Sequence, residues 1–362
     1  MKIRPIQRAT GGNDGRVMVV DTLEMKGKSS LAYALKTARG ARTIRFAPGL
    51  RGIIDLPYAL RVPADGGDFT LEWSPDIVLR GAPLTLDSTK NFIIRGLISL
   101  PGDGVAGRQF EDRDCLQLLG DCSNGLVENG VFLWGTDENV SIYPTKGSAP
   151  HNIEFRYNLV AEALRSAGHP KGEHGYNLLI GSGARDIAIH RNVIMNGLRR
   201  NPAIQDCLNV QVFNNVIAGW SQVAARVTRP EKRPTERHVI FASNVFSKLQ
   251  VEGGVDYPIG LEHIKEPGLK LEIAGNLWLD GRNADSLHAK SNVFPDFALS
   301  WDIVSPLCAP FNTQLKDILA DVLGNVGVSG DPHRERLLAQ IRLGKGGVID
   351  SPSEVGGYAA YE

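Results

Sequence analysis

Most of the side chains that could do chemistry lie in one stretch of the sequence, from Glu128 to Pro202. Acidic residues come first, then a loop with lysine and histidines, then two arginines, and short apolar runs typical of strands separate them. Carboxylate oxygens are hard ligands that suit calcium, and arginine pairs well with carboxylates. The order predicts a metal site and a cationic group that act together on an acidic substrate. The candidate residues are Glu128, Asp137, Glu138, His169, Lys171, His174, Arg199 and Arg200.

Each of these groups also has a simpler interpretation. Three carboxylates cannot fill the roughly six to eight positions around calcium, so water or substrate must complete the shell. Without a metal, Asp137 and Glu138 belong to a solvated turn and Glu128 is a surface residue. The two histidines could bind zinc, but no third ligand is evident, and a loop that hydrogen-bonds to its neighbours explains them equally. The paired arginines before Asn-Pro are compatible with an ordinary charged turn.

Composition excludes several classes of function. The 362 residues include 40 basic and 40 acidic side chains, so no overall field attracts nucleic acid or an anionic membrane. Any preference for a charged ligand must therefore be local. No apolar run approaches the length of a membrane span. The first residues lack the apolar stretch of a secretory signal. Either a signal was removed, or export uses another route, or the protein stays inside the cell.

The four cysteines follow neither a zinc pattern nor a dense disulfide framework. They are Cys115, Cys122, Cys207 and Cys308. The spacing permits a bridge between the first two, but buried free thiols are the favoured interpretation.

A strand signature recurs along the chain. Five segments share the template apolar-x-apolar-x-x-Asn-apolar, at intervals of 34, 23, 29 and 32 residues. Looser copies begin at Asn91 and Asn124, the latter with Gly130 at the asparagine position. One strand signature per variable period above about twenty residues is typical of a solenoid, whose stacked turns share one core. The pattern predicts an all-β parallel β-helix, with an antiparallel sandwich as the alternative. The template asparagines are Asn158, Asn192, Asn215, Asn244 and Asn276.

Asparagine suits the bend of each turn for two reasons. It tolerates the left-handed backbone conformation, and its amide can bond to the backbone of the next turn. We therefore expect the template asparagines to adopt that conformation and to stack into a ladder.

The ends of the chain fit a solenoid that is closed by helices. Ser29 or Ser30 could cap a short amphipathic helix, LAYALKTA, that covers the first turn. Helices are also predicted over 315–323 and 334–342, packed on the outside or at the far end. No linker divides the chain, so we expect one domain over 1–362, with 1–48 as the N-terminal cap and 310–362 as C-terminal helices and tail.

The template also estimates where the charged groups lie around the solenoid. Glu138 follows Gly130 by eight residues, and Arg200 follows Asn192 by eight. If the turns stack in register, both residues share one angular position on the outer wall, two turns and roughly 10 Å apart.

At these residues the chain resembles the pectate lyase family, in its large bacterial branch. The resemblance covers nearly the whole chain, through the segments ATGGNDGRVMVVDTL, SSLAYAL, NFIIRGLISLPGD, WGTDENVSIY, HPKGEHGY, RRNP and GGVIDSPSEVGGY. It implies a right-handed parallel β-helix and calcium-dependent β-elimination of acidic polysaccharides, typically polygalacturonate. It also implies a bacterial or phage-borne member. We therefore expect an extracellular, secreted protein, with a virion tail as the alternative, and a monomer or, if viral, a homotrimer.

The resemblance also implies roles for individual residues. Glu128, Asp137 and Glu138 match the calcium ligands, Lys171 matches the substrate-binding lysine, and Arg200, followed by Asn201-Pro202, matches the catalytic arginine. We expect the neighbouring residues His169, His174 and Arg199 to contact substrate as well.

Two departures from the family pattern bear on the substrate. The chain has Glu128-Asn129-Gly130-Val131 where the family usually has Asp-His-Cys-Ser, and Ala203 where it usually has a further arginine. The first alters the geometry at calcium, and the second removes one contact to a carboxylate.

Two other functions remain open on the sequence. A glycoside hydrolase on this scaffold needs two carboxylic groups at a set separation, and the Asn-Thr-Asp, Asp-Asp and Arg-Ile-Lys signatures of polygalacturonases are absent. A catalytically inactive glycan-binding protein, such as a tailspike or adhesin, would keep the scaffold and lose the chemistry.

Overall fold

The chain winds as a right-handed parallel β-helix. The computed structural model describes residues 6–104, 112–145, 147–229, 236–251, 253–264, 268–290, 298–303, 305 and 309–362. Each of the inner turns contributes one strand to each of three parallel sheets, which contain eleven, nine and nine strands in the described part of the chain. In chain order the strands are β1 (Arg16–Val20), β2 (Arg42–Phe46), β3 (Gly52–Asp55), β4 (Leu60–Val62), β5 (Phe69–Glu72), β6 (Ile77–Arg80), β7 (Leu84–Asp87), β8 (Lys90–Arg95), β9 (Ile98–Ser99), β10 (Leu116–Leu119), β11 (Ser123–Glu128), β12 (Val131–Leu133), β13 (Glu138–Tyr143), β14 (His151–Arg156), β15 (Leu159–Ala161), β16 (Tyr176–Ile180), β17 (Arg185–His190), β18 (Val193–Met195), β19 (Ala203–Gln205), β20 (Asn209–Phe213), β21 (Val216–Ala218), β22 (Ala225–Arg229), β23 (Arg237–Ala242), β24 (Val245–Ser247), β25 (Ile259–Ile264), β26 (Leu269–Ala274), β27 (Leu277–Trp278), β28 (Leu287–Ala289) and β29 (Ala298–Ser300).

Each of the three sheets has its own order of strands along the solenoid. The eleven-stranded sheet has the order β1-β2-β5-β8-β11-β14-β17-β20-β23-β26-β29. One nine-stranded sheet, the site sheet, runs from β4 through β7, β10, β13, β16, β19, β22 and β25 to β28. The other runs from β3 to β27 and contains β15. Alternate side chains point inward, so aliphatic residues of successive turns stack in one buried core, as Leu116, Val140 and Leu178 do in the site sheet.

The asparagine ladder is confirmed by hydrogen bonds. Each template asparagine donates its side-chain N–H to the Oδ1 of the next, at 3.2 Å from Asn158 to Asn192 and 2.9 Å at each later step to Asn276. Gly130 continues the ladder, because its backbone N–H donates to Asn158 Oδ1 at 2.8 Å. The amides satisfy buried backbone groups at a bend where strand pairing is interrupted.

The prediction that the template asparagines adopt the left-handed backbone conformation is wrong by one residue. The residue with positive φ is the one before each template asparagine, as at Tyr157 (φ 52°), Arg191 (57°) and Ser243 (49°). Asn158 and its equivalents instead use their amides to join adjacent turns. Hydrogen bonding, rather than tolerance of the left-handed region, therefore explains why asparagine recurs there.

Helices cover the N-terminal end and one side of the solenoid in the part of the chain that the structure describes. The N-terminal helix is shorter than predicted, with a π-helical turn over Tyr33–Thr37, and the Ser30 hydroxyl accepts the Tyr33 N–H at 3.2 Å. Short 3-10 turns lie at Ala64–Gly66 and Pro352–Val355. None of the helices within the described residues combines the length and apolar character that a membrane crossing requires.

The two predicted C-terminal helices are α1 (Leu315–Asn325) and α2 (Pro332–Leu343). They pack on the outside of the solenoid beside β15. Asp321 of α1 accepts a hydrogen bond from Tyr157, and Arg336 of α2 pairs with Glu162 at 2.7 Å.

The described cysteines are buried free thiols. Cys115, Cys122 and Cys207 form no disulfide, so the Cys115–Cys122 bridge permitted by the spacing is not formed. Cys308 lies outside the described residues.

Candidate functional site

One column of side chains crosses four adjacent turns of the site sheet. The column consists of Asp114, Glu138, Tyr176 and Arg200, each just before or at the start of a strand. The pairing of Leu116 with Val140, Glu138 with Tyr176, and Leu179 with Ala203 puts the four in register. Glu138 and Arg200 are two turns apart in this column, as the template predicted.

A second amide ladder holds that column in place. Asn139 donates to Asn177 Oδ1 at 2.8 Å, and Asn177 donates to Asn201 Oδ1 at 2.7 Å. These residues directly follow Glu138, Tyr176 and Arg200, and all three are fully buried. Sequence reasoning missed this ladder, although an asparagine in the same phase after each charged or aromatic residue is visible in the sequence.

Arg200 lies at one end of the column and reaches back towards its acids. Its guanidinium carbon is 4.2 Å from the centre of the Tyr176 ring, and Nη1 contacts the Glu138 carboxylate. Its backbone is left-handed, with φ of 65°. Burial lowers the pKa of Arg200 to about 10; the nearby Asp137 and Asp114 raise it, and the charge of Arg226 lowers it. The neighbouring Arg199 donates to the Tyr176 hydroxyl and covers the same ring at 4.7 Å.

Three carboxylates lie close together next to Arg200. Asp114, Asp137 and Glu138 each offer an oxygen, and the three oxygens lie within 4.8 Å of one another. Asp114 is buried; it accepts the Glu138 backbone N–H at 3.3 Å and the Ser141 hydroxyl at 2.6 Å. Burial and the adjacent Asp137 raise the pKa of Asp114 well above its usual range. A hard divalent cation fits this donor set, because it would relieve the repulsion between the acids.

Asp114 was not among the sequence candidates. The signal for it was present, since Asp-Cys-Leu-Gln-Leu from Asp114 repeats the pattern of Glu-Asn-Val-Ser-Ile from Glu138 one turn later.

Glu128 lies on a different sheet from Glu138, which corrects the prediction that it joins Asp137 and Glu138 at one site. It ends β11 in the eleven-stranded sheet, where its carboxylate pairs with Arg95 at 2.6 Å and Arg156 at 2.7 Å. The order of acids along the chain does not reveal which sheet each one occupies. The surface-residue interpretation fails too, because the side chain is nearly buried between the two arginines.

The histidine loop holds Asp137. The rings of His169 and His174 stack at 3.5 Å, and their Nε2 atoms lie 3.8 and 3.2 Å from Asp137 Oδ1. His169 Nδ1 accepts the backbone N–H of Lys171 at 3.1 Å. A neutral His169 then carries its proton on Nε2, facing the carboxylate, so that nitrogen cannot bind a metal. Asp137 provides the third group that a zinc site lacked in the sequence, but the tautomer favours a hydrogen-bonded loop. Lys171 is exposed on the same loop.

Ala203, where the family pattern has a further arginine, lies beside this column. Ala203 is buried in register with Arg226 of the next turn, so the nearest cation on this line of the sheet lies one turn further on. A cavity of about 620 Å³ lies away from these residues, between the ends of β24 and β27 and the end of α2.

Comparison with solved structures identifies the architecture. The major allergen Jun a 1 of cedar pollen superposes with a TM-score of 0.60 at 13% identity, over 88% of this chain and 90% of that one. A pectate lyase from Paenibacillus sp. 0602 gives 0.59 at 14% identity, over 91% and 97%. This chain has the pectate lyase fold. A third similar structure, a pectate lyase from Bacillus sp. N165 in complex with trigalacturonate, gives 0.56 at 16% identity, over 88% and 95%. No protein-family model and no curated protein matches the sequence.

Proposed function

We propose that this protein cleaves an acidic, uronate-containing glycan, of the pectate type, by β-elimination on the outer face of the site sheet. The observation that carries the proposal is the buried contact between Arg200 and Glu138, with Asp114 and Asp137 beside it. An arginine, an acidic cluster and an aromatic ring in one column offer opposite charges to the two ends of a reacting uronate.

Arg200 is the proposed base that removes the C5 proton beside the sugar carboxylate. The C4–O bond then breaks, a 4,5 double bond forms, and the departing oxygen takes up a proton from water. A guanidinium is normally protonated at any physiological pH. Burial brings the pKa of Arg200 to about 10, which makes the neutral form accessible in alkaline solution. The contact with Glu138 opposes this, because an adjacent carboxylate stabilises the charged guanidinium. A group that draws Glu138 away from Arg200 would therefore activate the base.

Asp137 and Glu138 are the residues that would hold calcium, with Asp114 behind them. Calcium, when bound, would neutralise the substrate carboxylate and stabilise the charge that develops next to it. Asp114 positions Glu138 through its backbone N–H and fixes Ser141. His169 and His174 orient Asp137, and Lys171 and Arg199 are proposed to contact the substrate.

The direct test is formation of the ultraviolet-absorbing 4,5-unsaturated product from a panel of polyuronates, with and without calcium. We expect Arg200→Ala to lower the rate by at least about 100-fold, the usual contribution of a general base. Arg61→Ala is the matched control, because Arg61 faces outward on the same sheet and pairs only with Asp87 among the described acids. A rate for Arg200→Ala within a few-fold of the control would rule out this role.

Binding without chemistry is the competing function. The separation of Glu128 from the cluster and the alanine at 203 favour it, because each removes a group that the family pattern would place at the substrate. A protein of this kind would bind polyuronates and release no unsaturated product.

A further inference from the structure

The C-terminal tail, residues 344–362, crosses every turn that carries the site column. In each of these four turns it contacts the connection between a strand of the sheet that contains β15 and the next strand of the site sheet. Going back along the solenoid, the contacted residues are Asn196, Arg165, Trp134 and Leu100. The tail therefore lies against the segments of chain that lead into Arg200, Tyr176, Glu138 and Asp114.

Two anchors fix the position of the tail. The Tyr358 hydroxyl donates to the Leu100 carbonyl at 2.8 Å, and its ring packs edge-on against that of Trp134, with the ring centres 5.2 Å apart. Nearer to α2, the side chain of Ile349 is buried in the main core. These anchors determine where Asp350, the residue after Ile349, meets the solenoid.

Asp350 forms a two-point ion pair with Arg165. The Nε and Nη2 atoms of Arg165 donate to Oδ1 and Oδ2 of Asp350 at 2.8 and 2.7 Å. The main chain supports the pair, because the Arg165 N–H donates to the Ile349 carbonyl at 3.0 Å. The Glu354 carboxylate accepts the Asp350 N–H at 2.7 Å and restrains the tail on its other side. Two parallel hydrogen bonds between a guanidinium and a carboxylate specify orientation as well as distance.

Arg165 closes the base of the histidine loop. Its carbonyl accepts the His174 N–H at 2.9 Å, so residues 165–174 form a closed loop. At the far side of this loop, the Nε2 atoms of His169 and His174 lie 3.8 and 3.2 Å from Asp137 Oδ1. A continuous series of contacts thus runs from the tail through the base of the loop to the Asp137 carboxylate.

The exposure of the ion pair suits a role in geometry rather than in stability. The side chains of Arg165 and Asp350 are 38% and 41% exposed, and an ion pair of that exposure adds little to the free energy of unfolding. The loop, however, lies between β15 and β16 and belongs to neither strand. Its order depends on contacts at its base, because no sheet ladder holds it.

We propose that Arg165 and Asp350 are positioning residues, through which the C-terminal tail holds the histidine loop so that Asp137 is placed to bind a cation. This role rests on the proposed function, which makes Asp137 a calcium ligand. Asp114 and Glu138 lie on or next to strands of the site sheet. Loss of the ion pair should therefore loosen one ligand of the three and leave the other two in place.

The first test is hydrogen exchange in the calcium-free protein, measured by mass spectrometry. The N–H groups of Lys171, Gly172 and His174 donate to acceptors within the loop and at its base. In Asp350→Ala we expect these groups to exchange about threefold to fivefold faster, the effect of losing an ion pair of this exposure. Strand β13 should exchange as in the wild-type protein, which shows that the solenoid is intact.

The second test is calcium titration by calorimetry. Asp350→Ala and Arg165→Ala should each raise the calcium concentration for half-saturation about threefold, and the double variant should be no worse than either. Asp350→Glu keeps the carboxylate and should restore most of the affinity. Asp55→Ala is the matched control, because Asp55 forms the same kind of two-point pair with Arg80, at 2.7 and 2.9 Å and at similar exposure, away from the loop.

Three results would overturn the positioning role. They are loop exchange that is unchanged in both alanine variants, faster loop exchange with the calcium affinity of the control, and exchange that is equally faster in β13. No calcium binding by the wild-type protein would overturn it as well.

The lyase activity is decided separately, by product formation in the wild-type protein. A protein that loses calcium affinity in Asp350→Ala but forms no unsaturated product keeps the positioning role and loses the proposed enzyme. Product formation with loop exchange and calcium affinity unchanged by the variants keeps the enzyme and removes the positioning role.

Discussion

Two charged columns on different sheets of this solenoid use their charges in opposite ways. In the eleven-stranded sheet, successive turns place Glu72, Arg95, Glu128 and Arg156 in register, so that the sign alternates. In the site sheet, Asp114 and Glu138 are neighbours of the same sign, and the cation follows two turns later. Opposite charges on adjacent strands stabilise a sheet and like charges destabilise it.

The difference separates structure from function. The alternating column satisfies its own charges and leaves nothing for a ligand. The site column retains repulsion, buried acids and an arginine with a lowered pKa, which is typical of functional sites. Charge that is left unbalanced, rather than charge as such, indicates the site.

The largest expected effect comes from replacing the arginine of the site column by a residue of the same charge. We expect Arg200→Lys to lower the rate of product formation about 100-fold, because an ammonium lacks the planar guanidinium that contacts both Tyr176 and Glu138. The wild-type rate should rise with pH towards about 10, where Arg200 loses its proton. Near-full activity in the lysine variant, measured by absorbance from pH 7 to 11, would argue against a specialised guanidinium.

Calcium dependence should change when an acid beside the site column is replaced, and should stay the same when Glu128 of the alternating column is replaced. Asp137→Asn should raise the calcium concentration for half-maximal binding or activity at least about tenfold, because a charged ligand is lost. Glu128→Gln should leave it unchanged, since that carboxylate is held by Arg95 and Arg156. Calcium titration by calorimetry measures both. A large effect in the Glu128 variant would restore the original assignment.

The free energy of unfolding should depend more on Glu128 than on Asp137, the reverse of the order expected for calcium. Glu128→Gln leaves two partly exposed arginines without their shared carboxylate, and we expect a loss of about 1–2 kcal/mol in the free energy of unfolding. Asp137→Asn should change it by less, because repulsion from Asp114 is relieved at the same time. Urea unfolding at pH 7 compares the two, and equal losses would contradict the contrast.

The smallest expected effect concerns the pH dependence of stability, which should have opposite signs for an acid of the site column and an acid of the eleven-stranded sheet. The pKa of Asp114 is raised in the folded protein, so its contribution to stability falls as pH increases above its unfolded value of about 4. Asp114→Asn removes that loss and should gain stability relative to wild type between pH 4 and 7.

The alternating region offers the opposite case. Burial raises the pKa of Glu154, but its pair with His190 and Arg156 lowers it overall. Its contribution is therefore present above its unfolded pKa of about 4 and is lost as pH falls. Unfolding midpoints for Glu154→Gln should approach those of wild type in acid and diverge towards neutral pH. The same trend in both variants would remove the distinction between the columns.

The sequence was sufficient for the features that repeat. The spacing from Asn158 to Asn276 predicted the parallel turns, and counting from that template put Glu138 and Arg200 in one column. It was insufficient for the ion pairs of Glu128 with Arg95 and Arg156 and for the contact of Asp114 with Glu138, because these depend on which residues of successive turns come together. Loops of different length between the strands hide those contacts in the sequence.

The sequence by itself determined the solenoid and its ladders, because a bend that recurs in phase requires the same backbone hydrogen bonds each time. Only the tertiary structure decided which acids repel one another and which are neutralised by arginine. Electrostatic energy depends on the distance between charges and on their burial, and stacking brings together residues that are 24 to 62 positions apart in the chain, as Asp114 is from Glu138 and Glu138 from Arg200.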